Sequence, residues 1–348
     1  MKAAAFQRGA ESVRLMTGLG RKYGLTTSAI LAGSDIREAE LSNPNRVVSA
    51  EQELQVIRNL VEKVGKESLG LEAGTLYHYT TFGMLGFAMA ASAHARAALE
   101  LALKYFDLTY ALTRFSVADV GVDTFISIDA AIVSPALQRF VVERDAAAVV
   151  TVYRDLFSDI RLLKGMEFTF PAPRTLDPYS ELFGFVPSFG SKANRACIRN
   201  DQIFPLAQGN EFALQAAEAQ CGRILAEVHE KMGLAGRVRD RLLVPDALNI
   251  SMERVAKDLF MTPRTLRRQL QMEGVTFSDL RRKISMSRAR DFLLGSSQSV
   301  ELIAEELGYA SPTAFINTFK KTFNLTPTEY RRIHRGDRKS SGPEIRLA

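Results

Sequence analysis

Arg264, Arg267, Arg268 and Gln271 recur at the three- and four-residue spacing of a helix with Thr265 among them, and Thr313, Ile316, Asn317, Lys320 and Lys321 form a second such group further along the chain. If each group sits on a helix, ~100° per residue turns Leu266 and Leu270 to one face and Arg264, Arg268 and Gln271 to the other, with Arg267 on the flank. In the second group Phe315 and Phe319 face inward and Thr313, Asn317 and Lys320 outward, with Ile316 at the side. A guanidinium presents a fork of donors that fits guanine, and a carboxamide fits adenine. Asn317 therefore suits adenine, Ile316 a thymine methyl, and Lys320 and Lys321 phosphates. Ordinary solvated helix faces can carry the same residues, so the elements that position them must decide.

Those elements are written as a repeat. Ser251, Glu253, Ala256 and Leu259 match Ser299, Glu301, Ala304 and Leu307 at an offset of 48, and Thr262, Pro263, Leu266 and Leu270 match Ser311, Pro312, Phe315 and Phe319 at 49. One supersecondary unit is used twice. In each copy a serine caps a first helix whose apolar residues share a face. Thr262-Pro263 or Ser311-Pro312 then starts a second helix, with proline where its missing N–H is harmless. Small Ala256 and Ala304 permit the close crossing of a helix-turn-helix. Thr276 to Leu294 predicts a connecting helix opened by a Thr276/Asp279 pair. About 18 residues at ~1.5 Å each make a rod of ~27 Å, enough to hold two reading helices about one DNA turn, ~34 Å, apart. Thr326-Pro327-Thr328-Glu329 caps a short last helix through Tyr330, Arg331 and Arg332.

Charge follows the same division. Residues 1–239 hold 26 Lys plus Arg and 26 Asp plus Glu, whereas residues 240–348 hold 19 and 13, so the whole formal surplus of +6 lies in the repeat-containing part. A neutral first part joined to a basic second part is the composition of a sensor attached to a nucleic-acid binder. With 348 residues, 46% of them hydrophobic, the chain can build two cores. No apolar run reaches the ~18 residues of a membrane span. Met1 to Gly20 lacks the apolar stretch of a signal peptide, so the expected location is the cytoplasm, with no membrane partner.

Other chemistry finds no matching constellation. His78, His94, His229 and His334 stand outside any HxxxH pair, and Cys197 and Cys221 have neither a zinc-ligand spacing nor a neighbouring histidine. No GxSxG elbow is present. Gly70, Gly74, Gly83 and Gly86 read as loop and turn glycines, because no GxGxxG or GKS/T follows a strand. No catalytic residue, metal ligand or cofactor is assigned.

The segment A304-EELGYASPTAFINTFKKTFNLTPTEYRR-R332 resembles the DNA-binding domain of the AraC/XylS family of bacterial transcription regulators, and the resemblance runs from about Pro245 to Arg332. It implies that Arg264, Arg267 and Arg268 occupy base- or phosphate-contacting positions of the first reading helix, and Pro312, Thr313 and Asn317 those of the second. Asn317 stands where many members carry arginine, and Phe260 where a glycine is frequent in the first turn. The segments G18-LGRKYGL-L25, S68-LGLEAGTLYHYTTFGMLGFAMAASAHARAALELALKYFDL-L108 and F183-GFVPSFGSKANRACI-I198 resemble the effector domain of the ornithine-utilisation-regulator subgroup. That resemblance implies a domain that binds a small molecule and mediates dimer formation.

The residues before 240 read on their own as a mixed α/β domain. Residues 51–64, 93–112 and 216–232 carry helical periodicity, and Phe115–Val120, Thr124–Ile132 and Met166–Phe170 read as strands. Tyr77, Tyr79 and Phe82 with Met84, Phe87 and Met89 could line an adaptable apolar pocket or simply form core. Arg96, Lys104 and Arg114 could anchor a ligand carboxylate or make surface ion pairs. A fatty-acid-like or amino-acid carboxylate is the expected effector. The stripe Leu214, Ala217, Cys221, Ile224, Leu225 and Val228 suits a dimer seam or packing on its own domain, and Gly233 to Arg241 reads as a linker. The expected organisation is an α+β chain: a ligand-binding and dimerisation domain over 1–235, an all-α domain with two helix-turn-helix motifs over 236–335, and a polar tail over 336–348. The expected function is a transcription factor that reads double-stranded promoter DNA, answers a small-molecule effector, and works as a homodimer with RNA polymerase. Two alternatives stay open: a constitutive DNA binder without effector, and an enzyme domain fused to a DNA reader.

Overall fold

The structure, a computed structural model, describes residues 7–44, 46–130, 133–157, 163–199, 209–242, 250–295 and 298–336. They divide into two compact units, one made of Ala4–Val133 and Leu137–Met232, the other of Gly233 onward together with Ser134–Ala136. The polar tail expected over 336–348 lies outside the described residues apart from Gly336. Among the described residues no helix is long and apolar enough to cross a membrane.

The N-terminal unit mixes helices with two small antiparallel sheets. One pairs β1 (Gln7–Gly9) with β2 (Val47–Ser49); the other runs in the order β3 (Arg114–Val120), β4 (Asp123–Asp129), β6 (Arg195–Arg199), β5 (Leu163–Glu167). The β3–β4 hairpin turns through Gly121 and Val122, with Gly121 at φ +61°. On β4 Thr124, Ile126 and Ile128 alternate inward, the period-2 signature of a half-buried strand. The helices are α1 (Glu11–Lys22), α2 (Thr27–Leu31), α3 (Ala50–Val64), α4 (Leu69–Gly74), α5 (Met84–Ala90), α6 (Ala95–Lys104), α7 (Pro135–Leu156), α8 (Asp177–Phe183) and the first part of α9 (Glu211–Leu242). Helix α7 buries Phe140, Val141, Val142, Ala146, Ala147 and Val150, so it is covered on most sides.

Four sequence expectations change here. Gly70 and Gly74 are not loop glycines: they are buried on α4, where a Cβ would overlap the carbonyls of Phe140 and Arg144 and the Cβ of Glu143 and Ala147 on α7. Gly86 likewise lies on α5 against the Tyr79 carbonyl, and only Gly83 of the four takes a positive φ. The helix expected over 93–112 stops at Lys104 and gives way to a short 3-10 turn at Phe106–Leu108, after which buried side chains pin the backbone of residues 110–113. Arg144 takes the Tyr110 carbonyl, and Asp145 takes the N–H groups of Leu112 and Thr113. The strand expected at Met166–Phe170 is Leu163–Glu167, since pairing with β6 sets its register while Phe168 and Phe170 stack in an aromatic cluster with Phe189. The strand expected over Thr124–Ile132 ends at Asp129, and residues 131 and 132 lie outside the described residues.

Helix α9 is interrupted at Gly233. Before the break Ala217 and Cys221 are buried with Leu214 and Leu225 against Leu85, Ala88, Met89 and Leu101 of the same unit, so this part of the stripe packs on its own domain, while Ile224 and Val228 are half-buried outside that core. After the break the expected linker is helical, because Leu234, Ala235, Val238 and Leu242 recur at helical spacing and bury in the second unit's core.

The second unit is all helix: the end of α9, then α10 (Met252–Asp258), α11 (Pro263–Met272), α12 (Phe277–Gly295), α13 (Val300–Glu306), α14 (Pro312–Phe323) and α15 (Pro327–Gly336). Ser251, Thr262, Ser299 and Ser311 each accept a hydrogen bond from the backbone N–H three residues on, capping α10, α11, α13 and α14. Thr276 and Asp279 cap α12, and Thr326 and Glu329 cap α15.

Candidate functional site

Each helix-turn-helix holds its second helix by two inward residues. On α11 Leu266 and Leu270 are buried while Arg264, Arg267, Arg268 and Gln271 are exposed and Thr265 is half-buried beside its cap, Thr262. Among the described residues none of these three guanidiniums makes a close ion pair, although Arg267 is near enough to Glu253 to contribute to the lowering of its carboxyl. On α14 Phe315 and Phe319 are buried while Pro312, Thr313, Asn317, Lys320 and Lys321 are exposed. Ile316 is half-buried and packs against the core, so less of it is presented than of its neighbours. Helix α12, 19 residues long, spans ~28 Å between the two motifs.

The two turns are the same turn. Gly308 (φ +71°) follows α13 with Tyr309 N–H donating to the Ala304 carbonyl at 3.0 Å; Phe260 (φ +56°) follows α10 with Met261 N–H donating to the Ala256 carbonyl at 2.8 Å. Phe260 thus adopts the left-handed conformation that glycine takes in the other copy, and its side chain is 98% exposed.

Sequence reasoning missed Glu273. It follows the last residue of α11 and accepts hydrogen bonds from the N–H groups of Leu234 (2.6 Å) and Ala235 (2.7 Å), the start of the helical stretch beyond Gly233. A carboxylate there satisfies otherwise orphaned N–H groups and sits at the positive end of the helix dipole. Gly233, at φ +64° and ψ 179°, makes room: a Cβ would lie 3.1 Å from both carboxylate oxygens. The signal was only a glycine followed by an apolar stripe, and its partner lies 39 residues away.

The N-terminal unit contains a cavity of about 160 Å³ between α6, α7 and the segment after α6. Tyr77, Phe82 and Met89 line it; Tyr79, Met84, Phe87 and Arg114 do not, and Met84 and Phe87 are 37% and 52% exposed. Most of the lining was not singled out in the sequence: Ala95, Ala98 and Ala102 of α6, Val152 and Tyr153 of α7, and Tyr110 and Phe115. The alanines at three- and four-residue spacing were the available signal, since they leave space beside a helix. The basic residues considered as carboxylate anchors are engaged elsewhere: Arg96 with Glu100 and Asp119, each within 3.0 Å, and Lys104 with Glu218.

One end of the cavity is closed by a buried ionic network. Arg144, 1% exposed, donates to Glu53 (3.0 Å), to Asp145 (2.8 Å) and to the Tyr110 carbonyl (3.0 Å). Tyr77 donates to Ser12, which donates to Glu53, and Arg8 lies 3.7 Å from the same carboxylate. Burial pushes the Tyr77 phenol well above its usual value and that of Tyr110 up to about 12, so both hydroxyls stay protonated. A second buried acid, Glu143, pairs with Arg139 and Tyr179 behind α4; burial pushes its carboxyl up to about 7.

Comparison with known proteins agrees with this architecture. Residues 24–202 match the family described as arabinose-binding domain of AraC transcription regulator, N-term, and residues 255–333 match a helix-turn-helix domain. An HTH-type transcriptional regulator of Mycobacterium tuberculosis is 27% identical over 327 residues, covering 92% of this chain and 95% of that protein. The ornithine utilization regulator of Pseudomonas aeruginosa is 26% identical over 314 residues, covering 89% and 92%. Among solved structures, the transcriptional regulator CdpR from Pseudomonas aeruginosa is 20% identical with a TM-score of 0.45, covering 92% of this chain and 98% of that one. The chain belongs to the AraC family of transcription regulators, with an N-terminal ligand-binding domain and a C-terminal helix-turn-helix domain that binds DNA.

Proposed function

We propose that this regulator reads promoter DNA with the exposed faces of α11 and α14 and answers a small molecule held in the cavity between α6 and α7. The observation that carries the reading is the α11 face: three exposed guanidiniums, none of them in a close ion pair among the described residues, on a helix fixed from behind by Leu266 and Leu270. Arg264, Arg267, Arg268 and Gln271 then meet base edges and phosphates, Pro312, Thr313 and Asn317 fix the second contact, and Lys320 and Lys321 hold the backbone. Domains over 1–235 and 236–335 divide the work, and promoter binding puts it in the cytoplasm alongside RNA polymerase. A homodimer is proposed from the family resemblance; Leu214, Ala217, Cys221 and Leu225 of the α9 stripe are already used within their own domain. The name of one relative makes an amino acid one effector class to try. The test is selection of bound duplexes from a random pool, followed by salt titration of the winner. Log affinity should fall linearly with log salt. Arg268→Ala should weaken binding by ~1–3 kcal/mol and more than Asn317→Ala. No selected sequence, or the reverse order of the two variants, overturns the reading.

A further inference from the structure

We infer that the cavity between α6 and α7 takes a small, apolar, uncharged molecule with the size and chemistry of a monocyclic arene; the inference rests on the reading that this cavity is the effector site. Two charged residues reach the lining, Arg144 and Asp145, and the protein itself occupies both. Arg144 is shared among Glu53, Asp145 and the Tyr110 carbonyl. The second oxygen of Asp145 accepts from Leu112 N–H (3.1 Å), Thr113 N–H (3.0 Å) and the Thr113 hydroxyl (2.7 Å). A ligand carboxylate could reach Arg144 only by displacing Glu53 or Asp145, and the displaced anion would be stranded in the interior. A ligand ammonium meets the same obstacle at Asp145.

Four hydroxyls belong to lining residues, those of Tyr77, Thr109, Tyr110 and Tyr153, and two of them are donated within the protein. The Tyr77 hydroxyl donates to Ser12, and the Thr109 hydroxyl donates to the Phe106 carbonyl at 2.8 Å. A sugar would therefore bury more hydroxyls than the lining can partner. Most of the lining is carbon: alanine methyls of α6, Val152 and Leu156 of α7, and the rings of Phe82, Phe106 and Phe115. An apolar cavity of about 150 Å³ takes benzene. At about 160 Å³ this cavity falls in the same size class.

The test titrates the full chain with toluene, with benzoate (the same ring carrying a carboxylate) and with a free α-amino acid, by thermal shift and calorimetry. An Ala98→Leu/Ala102→Leu variant that fills the cavity is run in parallel. Toluene should raise the melting temperature saturably in the wild type and lose that effect in the filled variant, and benzoate should bind at least about 100-fold more weakly. Tighter binding of benzoate or the amino acid, lost in the filled variant, keeps the cavity as the effector site and overturns the apolar assignment. Binding that persists unchanged in a folded filled variant overturns the siting itself. Should the variant not fold, nuclear Overhauser effects from toluene to the methyls of Ala98, Ala102 and Val152 in the wild type decide: their presence supports the assignment and their absence overturns it. No response to toluene overturns it as well.

Discussion

Glu273→Ala tests whether the carboxylate after α11 holds the start of the helical stretch beyond Gly233. The variant removes two acceptors, at 2.6 and 2.7 Å from the Leu234 and Ala235 nitrogens. Buried hydrogen bonds to a charged group contribute ~1.5–3 kcal/mol each and a helix cap ~1 kcal/mol. Glu273 is exposed, so solvent screens the charge, and the expected loss for the pair is about 1–2 kcal/mol. That is a factor of roughly 5–30 in the local opening equilibrium. Amide hydrogen exchange reads it directly: the Leu234 and Ala235 N–H groups should exchange faster by that factor in Glu273→Ala, and by less in Glu273→Gln, which keeps an acceptor but loses the charge. Gly233→Ala should do at least as much damage, because its Cβ would crowd the same oxygens in a backbone region that alanine avoids. Unchanged protection at both amides in a folded Glu273→Ala variant refutes the latch.

Three further outcomes follow from packing, backbone conformation and titration. Gly74→Ala pushes a methyl onto the Arg144 carbonyl and Ala147, and should cost about 3 kcal/mol as α4 and α7 are forced apart; an unmoved denaturation midpoint would count against that close approach. Phe260→Gly surrenders no burial and relieves a left-handed conformation worth ~1–2 kcal/mol, offset by the greater freedom of unfolded glycine, so a net gain of up to about 1 kcal/mol is expected. A loss of stability in that variant would mean the ring is used in the folded chain. For Glu143, whose carboxyl rises from 4.5 to about 7, the folded protein keeps a proton that the unfolded chain releases. Its contribution is fully present below about pH 4.5 and is lost as pH rises to about 7, a fall of roughly 3 kcal/mol that Glu143→Gln should abolish; identical pH profiles for the two proteins would refute the assignment.

The parts legible in the sequence were those whose determinants are local. The caps at Ser251, Thr262, Ser299, Ser311, Thr276 and Thr326 each work through a backbone N–H three residues away, so a short window contains the whole interaction. The inward pairs Leu266/Leu270 and Phe315/Phe319 follow from helical period alone. Long-range partners stayed hidden. Gly70 and Gly74 look like turn residues until α7 is seen to pass against them. Gly233 to Arg241 looks like a linker until the core that receives Leu234 and Val238 exists. The pocket was read from a local aromatic cluster, yet its walls come largely from α6 and α7, which are assembled by the fold.

The ionic network at the end of the cavity also constrains how this domain can diverge. Arg8 and Arg144 balance Glu53 and Asp145, and Glu53 lies 91 residues from Arg144 in the chain. Losing one member leaves a buried charge unanswered, a defect of several kcal/mol, while exchanging the set for well-packed apolar side chains is close to neutral. Single changes are thus barred and concerted ones open. Across descendants of this domain, Glu53, Arg144 and Asp145 should be kept or discarded as a unit of inheritance, and a lineage that retains one without the others should carry a compensating charge within reach of it.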